Sequence, residues 1–510
     1  MKDGSRAFRW MVLVTSLLTT GFLVAAALRE NFLAQWYRVQ GEYRQHLQAK
    51  ATDDRGRELL KTFRRELKQA SVPALGAVDR CVSCHNGIDD PRMTDVPRPH
   101  QVHPGDILKN HSVDRYGCTV CHQGQGAATN FNDAKADNAA WDYPLLTREL
   151  TQSSCATCHD ISKLNAIAPQ QVALLTEGQR LYEAKSCASC HKIGGRGGAL
   201  GPALDNEGAK TKHQLILTNL KPPHTTWNWH LAHFRDPAGI VAASQMKNPT
   251  VTNREALALT VYMLSLRTRD VPESYLAPDK IEQKARALHP QPLSGEQVFR
   301  QNCFACHGDG SYGRWDKIFK RFIPAIRGPS LQATADRAYL ETNIAKGRPG
   351  TQMPAWEMQA GGLQPAEISA LAEFLLAPAG RPGAAPAKQM LAAAQLAGGN
   401  AQRGEKIFLR NCAGCHGVAG HGGVAPELDN PTFQQAASDD FIVATIRNGR
   451  RNTAMPSFQP GTGKSAAPSV RGLTNGELGD LLAFVRSLSR AATKPQTSQA
   501  RVANTSGGTR

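Results

Sequence analysis

The sequence predicts a mostly α-helical protein with one N-terminal transmembrane helix, then a compact loop-rich region, then three tandem helical domains of one kind. Three observations lead to this prediction. A single uncharged apolar segment lies close to the N-terminus. A five-residue word, Cys-x-x-Cys-His, occurs six times, and its first three copies are crowded together. A longer order of helices and loops recurs three times over residues 170–490, as expected for tandem copies of one small domain.

The apolar segment covers residues 10–28, where 19 uncharged and mostly apolar positions follow one another. A helix of that length nearly spans the hydrocarbon core of a bilayer. Because Lys2, Arg6 and Arg9 precede it, we expect the N-terminus in the cytoplasm and the rest of the chain across the membrane. A signal peptide cleaved near residues 25–27 is the alternative, but the apolar run is long for a signal core. The sequence therefore predicts a single-pass protein of the inner (cytoplasmic) membrane that faces the periplasm or the cell exterior.

Apolar side chains recur at helical spacing after the anchor, at Phe32, Trp36, Val39 and Tyr43. This spacing predicts a helical stalk over residues 29–75. The stalk packs on a partner subunit or on the rest of the chain, or it is a simple solvated helix. The pattern alone does not separate these alternatives.

All twelve cysteines belong to the repeated word. The pairs are Cys81 and Cys84, Cys118 and Cys121, Cys155 and Cys158, Cys187 and Cys190, Cys303 and Cys306, and Cys412 and Cys415, followed by His85, His122, His159, His191, His307 and His416. Two thiols one turn apart can each bond a vinyl group of a haem, and the adjacent imidazole can bind its iron. Redox dithiols, zinc half-sites and disulfides do not require that histidine. The sequence therefore predicts six covalently bound haem c groups, with these histidines as proximal ligands.

The formal net charge of +17 does not indicate a nucleic-acid-binding protein. Two propionates on each predicted haem would offset most of this charge. The chain also has no basic motif interleaved with base-stacking aromatic residues. We therefore expect no nucleic-acid partner, and the remaining charge either steers acidic redox partners, lies near anionic lipid or is simply solvated.

Residues 76–168 carry the first three words with little chain between them, so we expect haems to replace a protein core there. Three more histidines follow the first word and are candidate distal ligands: His100, His103 and His111. The preferred pair is His103 and His111, with His100 next and Met93 as an alternative for one iron. An ordinary surface role is the competing interpretation of each histidine.

Each of the three later copies has a helix with an aromatic residue, the word, a proline loop, a methionine and a closing amphipathic helix. The aromatic residues are Tyr182, Phe299 and Phe408, the prolines are Pro202, Pro329 and Pro426, and the methionines are Met246, Met353 and Met455. This order resembles the class I cytochrome c domain over nearly all of residues 172–490. The resemblance implies that the first and last helices cross near the aromatic residue, and that a carbonyl at or before each proline orients the proximal histidine. It also implies that each methionine binds iron on the distal side.

The three methionines differ in their surroundings. Met353 and Met455 each precede a proline in polar loops, where a core-filling methionine would be out of place. Met246 precedes Lys247 instead, which departs from the pattern. The alternatives are His224, His230 and His233 for Met246, and Met358 for Met353.

These features divide the chain into predicted segments. They are a cytoplasmic segment (1–9), an anchor (10–28), a stalk (29–75), a trihaem region (76–168), cytochrome c domains (170–270, 290–378 and 403–490), a linker (379–402) and a disordered tail (491–510). The linker is rich in Ala, Gly and Pro, which is typical of a flexible tether between separate domains.

The stretch from Val78 to Gly126 is similar to the N-terminal region of membrane-anchored bacterial multihaem cytochromes that serve quinol-oxidising respiratory complexes. This resemblance implies an electron-transfer protein that takes electrons from a cytochrome b-like, quinol-oxidising membrane subunit and passes them to a periplasmic redox acceptor. Histidine–methionine ligation raises the haem potential above that of bis-histidine ligation. We therefore expect electrons to move from the trihaem region towards the three later domains.

Two other functions compete with electron transfer. In the first, one iron stays five-coordinate and the protein is a haem enzyme, similar to peroxidases or nitrite reductases. A candidate distal ligand for every iron counts against it, so we assign no catalytic residue and expect no enzyme activity of the chain by itself. In the second, chains stack haem to haem into a wire-like assembly. The separately tethered domains argue against this second function.

Overall fold

The computed structural model describes residues 3–138, 140–146, 149–377, 393, 396, 398–451, 453–460 and 471–488. The predicted tail and most of the predicted linker lie outside the described residues. The described chain is mostly helical, as predicted. It forms two compact units: Met1–Glu177, Glu207–Ala232 and Ala256–Arg286 in the first, and Gly178–Asn206, His233–Glu255 and Ala287–Arg510 in the second.

The N-terminal apolar segment forms helix α1, Asp3–Leu28, and a short helical turn joins it to α2, Gln35–Lys50. Its apolar side chains are exposed, and Trp10 and Phe22 are examples. Within the described residues, the helical stretch Ser5–Lys50 is the one long and apolar enough to cross a membrane. A bilayer would cover this surface, while the helix satisfies its own backbone hydrogen bonds. The predicted membrane helix is therefore present as a candidate span, and its orientation stays a prediction.

Helix α2 packs against the loop-rich region of its own chain. Its buried Tyr43 and Leu47 form an apolar cluster with Met93. The buried Gln40 amide donates a hydrogen bond to the carbonyl oxygen of Ser83, inside the first word, at 2.9 Å. Among the alternatives for the stalk, the structure therefore supports packing on the rest of the chain. Helix α3, Asp54–Thr62, follows α2.

The region around the first three words consists of short elements. They are antiparallel strands β1 (Ala70–Val72) and β2 (Ala77–Asp79) and helices α4 (Ile107–Asn110), α5 (Val113–Tyr116), α6 (Thr119–His122), α7 (Phe131–Lys135), α8 (Gln152–Cys155) and α9 (Ile161–Ile167). The Asp79 carboxylate is fully buried and accepts hydrogen bonds from the backbone N–H groups of Cys118 and Thr119. Because Asp79 lies two residues before Cys81, it holds the first two words together.

Five helices complete the first half of the repeat region: α10 (Ala173–Ala184), α11 (Thr226–Arg235), α12 (Pro237–Ile240), α13 (Asn253–Ser265) and α14 (Pro278–Leu288). The last of these packs on the third word, because Lys280 donates to the carbonyl of Ala156 at 2.7 Å and Arg286 pairs with Asp160 at 2.7 Å. Helix α13 is the predicted closing helix of the first copy.

The second and third copies have the predicted order of helices. The elements of the second are α15 (Gly295–Val298), α16 (Phe304–His307), strands β3 (Arg314–Asp316) and β4 (Arg321–Ile323), α17 (Pro329–Thr334), α18 (Arg337–Lys346) and α19 (Pro365–Leu376). Those of the third are α20 (Ala401–Asn411), α21 (Ala413–His416), α22 (Pro431–Ala436), α23 (Asp439–Asn448) and α24 (Asn475–Ser487). The first and last helices of each copy cross as expected. The ring centroids of Phe299 and Phe374 are 5.5 Å apart, and those of Phe408 and Phe484 are 5.1 Å apart.

These two copies share one hydrophobic core. Tyr339 stacks on Phe441 with ring centroids 4.2 Å apart, and each is the third residue after the N-cap of its helix, α18 and α23. Equivalent positions of the two repeats therefore contact each other, as in a two-fold symmetric interface. The expectation of separately tethered domains is corrected here, since the copies pack on each other through equivalent surfaces.

Candidate haem-binding sites

Each Cys-x-x-Cys-His word forms a short helical turn. The histidine N–H donates to the carbonyl of the first cysteine at 2.8 Å in the first word and at 3.0 Å in the second, third, fourth and sixth. Residues three and four apart in such a turn lie on one face. Both thiols and the imidazole of a word are therefore placed side by side, as attachment of one haem requires.

The thiols lie in apolar surroundings. Burial raises the pKa of Cys155, Cys187 and Cys303 to about 12 each. Cys81 differs, since a hydrogen bond with the Cys118 thiol lowers its pKa. The histidine next to each thiol pair, rather than the thiol pKa, favours haem attachment over a redox dithiol or a zinc site.

Backbone carbonyls orient the proximal histidines of the three repeats. The Nδ1 atom of His191 lies 2.8 Å from the carbonyl oxygen of Pro202, and that of His416 lies 2.7 Å from that of Pro426. A carbonyl only accepts, so Nδ1 carries the proton and the lone pair of Nε2 is the metal-binding atom.

In the second repeat the predicted proline is wrong. His307 Nδ1 lies 3.2 Å from the carbonyl oxygen of Pro324, whereas Pro329 is the first residue of helix α17. Proline is common at that helix position because its missing N–H is not needed there. Burial lowers the pKa of His307 to about 4, which keeps its imidazole neutral, the form that binds iron.

A single cavity of about 610 Å³ joins the sites of the second and third repeats. Its wall includes both words, both proximal histidines and both candidate methionines: Cys303, Cys306, His307, Met353, Cys412, Cys415, His416 and Met455. Apolar side chains such as Leu331, Trp356 and Phe433 form most of the remaining wall. Thiols, an imidazole and a thioether around an apolar cavity are the groups that haem c binding requires, so these residues fit two haem groups.

The two methionine loops are built in the same way. The carbonyl of Met353 accepts from the N–H of Arg348 at 2.8 Å, and that of Met455 accepts from the N–H of Arg450 at 3.1 Å. Met358, the alternative to Met353, is 48% exposed, which is typical of a surface residue. Both predicted methionines line the cavity, and their role as distal ligands stays a prediction.

The candidate distal histidines of the trihaem region differ in their partners. The Nδ1 atom of His103 lies 3.0 Å from the carbonyl oxygen of Pro104, and that of His111 lies 3.1 Å from that of Ile107. His100 is 2% exposed, and its Nε2 atom lies 3.6 Å from the Glu42 carboxylate.

The structure also places His46 of helix α2 in this group, which sequence reasoning missed. Its ring centroid lies 5.3 Å from that of His100. The signal that could have found it is its position three residues after the buried Tyr43, on the face of α2 that packs on the trihaem region. Met93 is fully buried in that apolar packing, as a core residue would be.

The first repeat contacts the second through the residue that follows Met246. The Lys247 ammonium lies 2.6 Å from the Asp316 carboxylate, where Asp316 is 8% and Lys247 30% exposed. The Lys247 amine also lies 3.3 Å from the Ala305 carbonyl oxygen, inside the fifth word. Of the competing histidines, His224 bonds the Leu220 carbonyl, and His230 is buried beside a carboxylate.

The chain matches two family models over its repeats. Residues 290–375 and 399–484 match cytochrome c oxidase, cbb3-type, subunit III, and residues 175–267 match cytochrome c. The cbb3-type cytochrome c oxidase subunit FixP of Bradyrhizobium sp. (strain ORS 278) is 30% identical over 207 residues, which are 39% of this chain and 66% of the relative. The cytochrome bc1 complex cytochrome c subunit of Corynebacterium efficiens is 27% identical over 266 residues, 48% of this chain and 80% of the relative.

Together with the site geometry, these matches support a multihaem c-type cytochrome built with cytochrome c domains. The matches support an electron-transfer role for its cytochrome c domains, and the relatives are subunits of respiratory complexes. The chain spans less than two thirds of the length of the FixP relative.

Proposed function

We propose that the protein is a membrane-anchored hexahaem c-type cytochrome. It takes electrons from a quinol-oxidising, cytochrome b-like membrane subunit and passes them to a periplasmic redox acceptor. The observation that carries this proposal is the cavity in which two words, two proximal histidines and two methionines meet. Six words with paired thiols extend the same chemistry to six haem c groups.

The bound haems supply one-electron chemistry, and the chain sets the conditions for it. The proline carbonyls hold each proximal imidazole in one tautomer and orientation. The apolar cavity wall excludes water, so little solvent has to reorganise when the charge at the site changes. A methionine on the distal side favours the reduced state and raises the potential.

Two arginines act on the same sites. Arg348 and Arg450 line the cavity, and their guanidinium carbons lie 5.3 Å from the ring centre of Phe433 and 5.2 Å from that of Phe441. Burial lowers the pKa of Arg450, but an arginine stays protonated in proteins. A fixed positive charge beside each methionine loop favours the reduced iron.

An EPR-monitored redox titration of the holoprotein, with an intact mass to count haems, tests the function. We expect six haems, every iron low-spin, and bis-histidine signals that titrate at lower potentials than the histidine–methionine signals. That order supports flow from the trihaem region to the later domains, and the reverse order would contradict it. A stoichiometric high-spin signal would instead make the protein a candidate haem enzyme with one open iron.

A further inference from the structure

Two histidine pairs in the trihaem region have ring separations that suit two ligands of one metal. The ring centroids of His103 and His122 are 6.3 Å apart with the rings at 72°. Those of His111 and His159 are 6.0 Å apart with the rings at 60°. Each pair joins a predicted proximal histidine to a histidine outside the words.

The separation follows from bond lengths. An imidazole nitrogen binds a transition metal at about 2.0–2.1 Å and lies about 1.2 Å from its ring centre, so two opposed imidazoles place their centroids about 6.4 Å apart. Stacked or edge-on aromatic pairs in direct contact have centroids at about 4.5–7 Å, so distance alone does not decide. The hydrogen bonds of the ring nitrogens provide the second criterion.

In both distal candidates a backbone carbonyl engages the Nδ1 atom of the ring. The Nδ1 atoms of His103 and His111 are satisfied by the carbonyls of Pro104 and Ile107, at 3.0 and 3.1 Å. Their Nε2 atoms are therefore the ones left for iron. On the opposite side, His159 Nδ1 lies 3.5 Å from the Asp279 carboxylate, which orients the proximal ring in the same manner.

We propose that His103 and His122 bind one iron and that His111 and His159 bind the next. This inference rests on the proposed function, because it concerns the haems held by the second and third words. Its consequence is that one short segment, residues 103–111, supplies the distal ligands of two haems. His111 precedes the second word in sequence but pairs with His159 of the third word. We therefore expect a shift of this segment to affect both haems.

The first haem then takes its distal ligand from elsewhere in the same unit. His85, its proximal histidine, lies beside His100 and is hydrogen-bonded to the Pro99 carbonyl. His100 and its neighbour His46 are the remaining histidines here. The proposal does not depend on which of them binds.

The test marks one haem and removes one ligand at a time. A haem held by a single thioether keeps one vinyl group and absorbs at longer wavelength, so Cys121→Ala marks the second haem and Cys158→Ala the third. Into each background we place His103→Ala or His111→Ala. We expect His111→Ala to convert one iron to high-spin. It should change the shifted absorbance band of the marked haem in the Cys158→Ala background and not in the Cys121→Ala background. His103→Ala should change it only with Cys121→Ala.

The exchanged pattern, or a change of the same marked band by both alanine variants, would overturn the pairing. Where an alanine variant loses a haem by intact mass, His103→Met or His111→Met retains a ligand. It should convert one bis-histidine EPR signal to a histidine–methionine signal in the same background. His289→Ala, at an exposed position, is the matched control and should leave every signal unchanged.

These readouts distinguish failure of the proposed electron-transfer function from failure of the histidine pairing. A high-spin iron in the unmodified protein would contradict the proposed function but leave the variant differences readable. Low-spin wild-type irons with the wrong pairing would leave electron transfer intact and refute only this inference.

Discussion

Replacing Lys247 with methionine removes the cation that holds the loop of Met246 against the second repeat. The Lys247 ammonium is 2.6 Å from Asp316, and its exposed fraction is 30% against 8% for Asp316. Removing one partner of a fully buried pair costs about 3–5 kcal/mol. Here water reaches one partner, and Asp316 keeps hydrogen bonds from the N–H groups of Ile318 and Phe319 at 3.0 Å each. We therefore scale the cost to about 1.5 kcal/mol.

We expect the lost ion-pair energy to shift the equilibrium between the closed and open states of the Met246 loop towards the open state. About 1.4 kcal/mol corresponds to a tenfold change in an equilibrium constant. An external ligand that displaces the Met246 thioether should therefore bind about tenfold more tightly to the Lys247→Met protein. The assay is a visible-absorbance titration of the oxidised holoprotein with imidazole, following loss of methionine ligation at one haem.

Two variants separate the ion pair from charge alone. Lys317→Met removes a positive charge at an exposed position between β3 and β4 and should leave imidazole affinity within about twofold. Asp316→Asn should tighten imidazole binding less than Lys247→Met, because the stranded lysine can hydrate. An affinity change below twofold for Lys247→Met, or an equal change for Lys317→Met, would refute the reasoning.

Two further predictions concern stability, each measured by thermal unfolding of the holoprotein. Gly404→Ala should destabilise the holoprotein by about 1–3 kcal/mol, because the added carbon would lie 2.0 Å from the Asp480 carbonyl oxygen. The control is Gly476→Ala on the same helix pair. Its added carbon meets nothing within 4 Å, so this variant should be neutral or stabilising. If both behave alike, close packing at the crossing is not the cause. Burial raises the pKa of Glu367, but its Arg196 ion pair and backbone donors outweigh this and lower it. Its contribution is present above the unfolded pKa of about 4.3 and lost as pH falls. Glu367→Gln should therefore be destabilising at pH 7, with the difference from wild type shrinking as pH falls below about 4.3 towards the lowered folded-state pKa, and a difference that stays constant there would contradict this.

Local sequence patterns predicted the helices correctly, because helix formation depends mostly on residues that are close in sequence. The closing helix of the second repeat was expected from Glu367 to Leu375 and runs from Pro365 to Leu376, since a buried stripe at helical spacing fixes its extent. The loops of Met353 and Met455 lie at the cavity that the two words line, and iron ligation by these methionines stays a prediction.

Pattern matching failed where the spacing changed. The loop of Pro329 was matched to the loops of Pro202 and Pro426, but the hairpin of β3 and β4 lies between the fifth word and that loop. His307 is therefore 17 residues from its carbonyl partner Pro324, against 11 for His191 and 10 for His416. His46 was missed for a related reason, since it is distant in sequence from every word and only packing of α2 brings it near.

The shared core of the second and third repeats was beyond sequence reasoning, because each amphipathic helix shows that it buries a face but not which face it meets. The Tyr339–Phe441 stack shows that equivalent faces meet, and this removes the argument that separate, tethered domains count against a continuous haem chain. The fourth word also packs on the segment just before the fifth, since the Ser189 hydroxyl lies 3.4 Å from the Gln301 carbonyl oxygen. In the second unit, sites that are consecutive in sequence are thus neighbours in space, as short connections favour. The fifth word has the fourth and the sixth as its neighbours, and we therefore expect stepwise transfer along this unit to pass through the fifth haem.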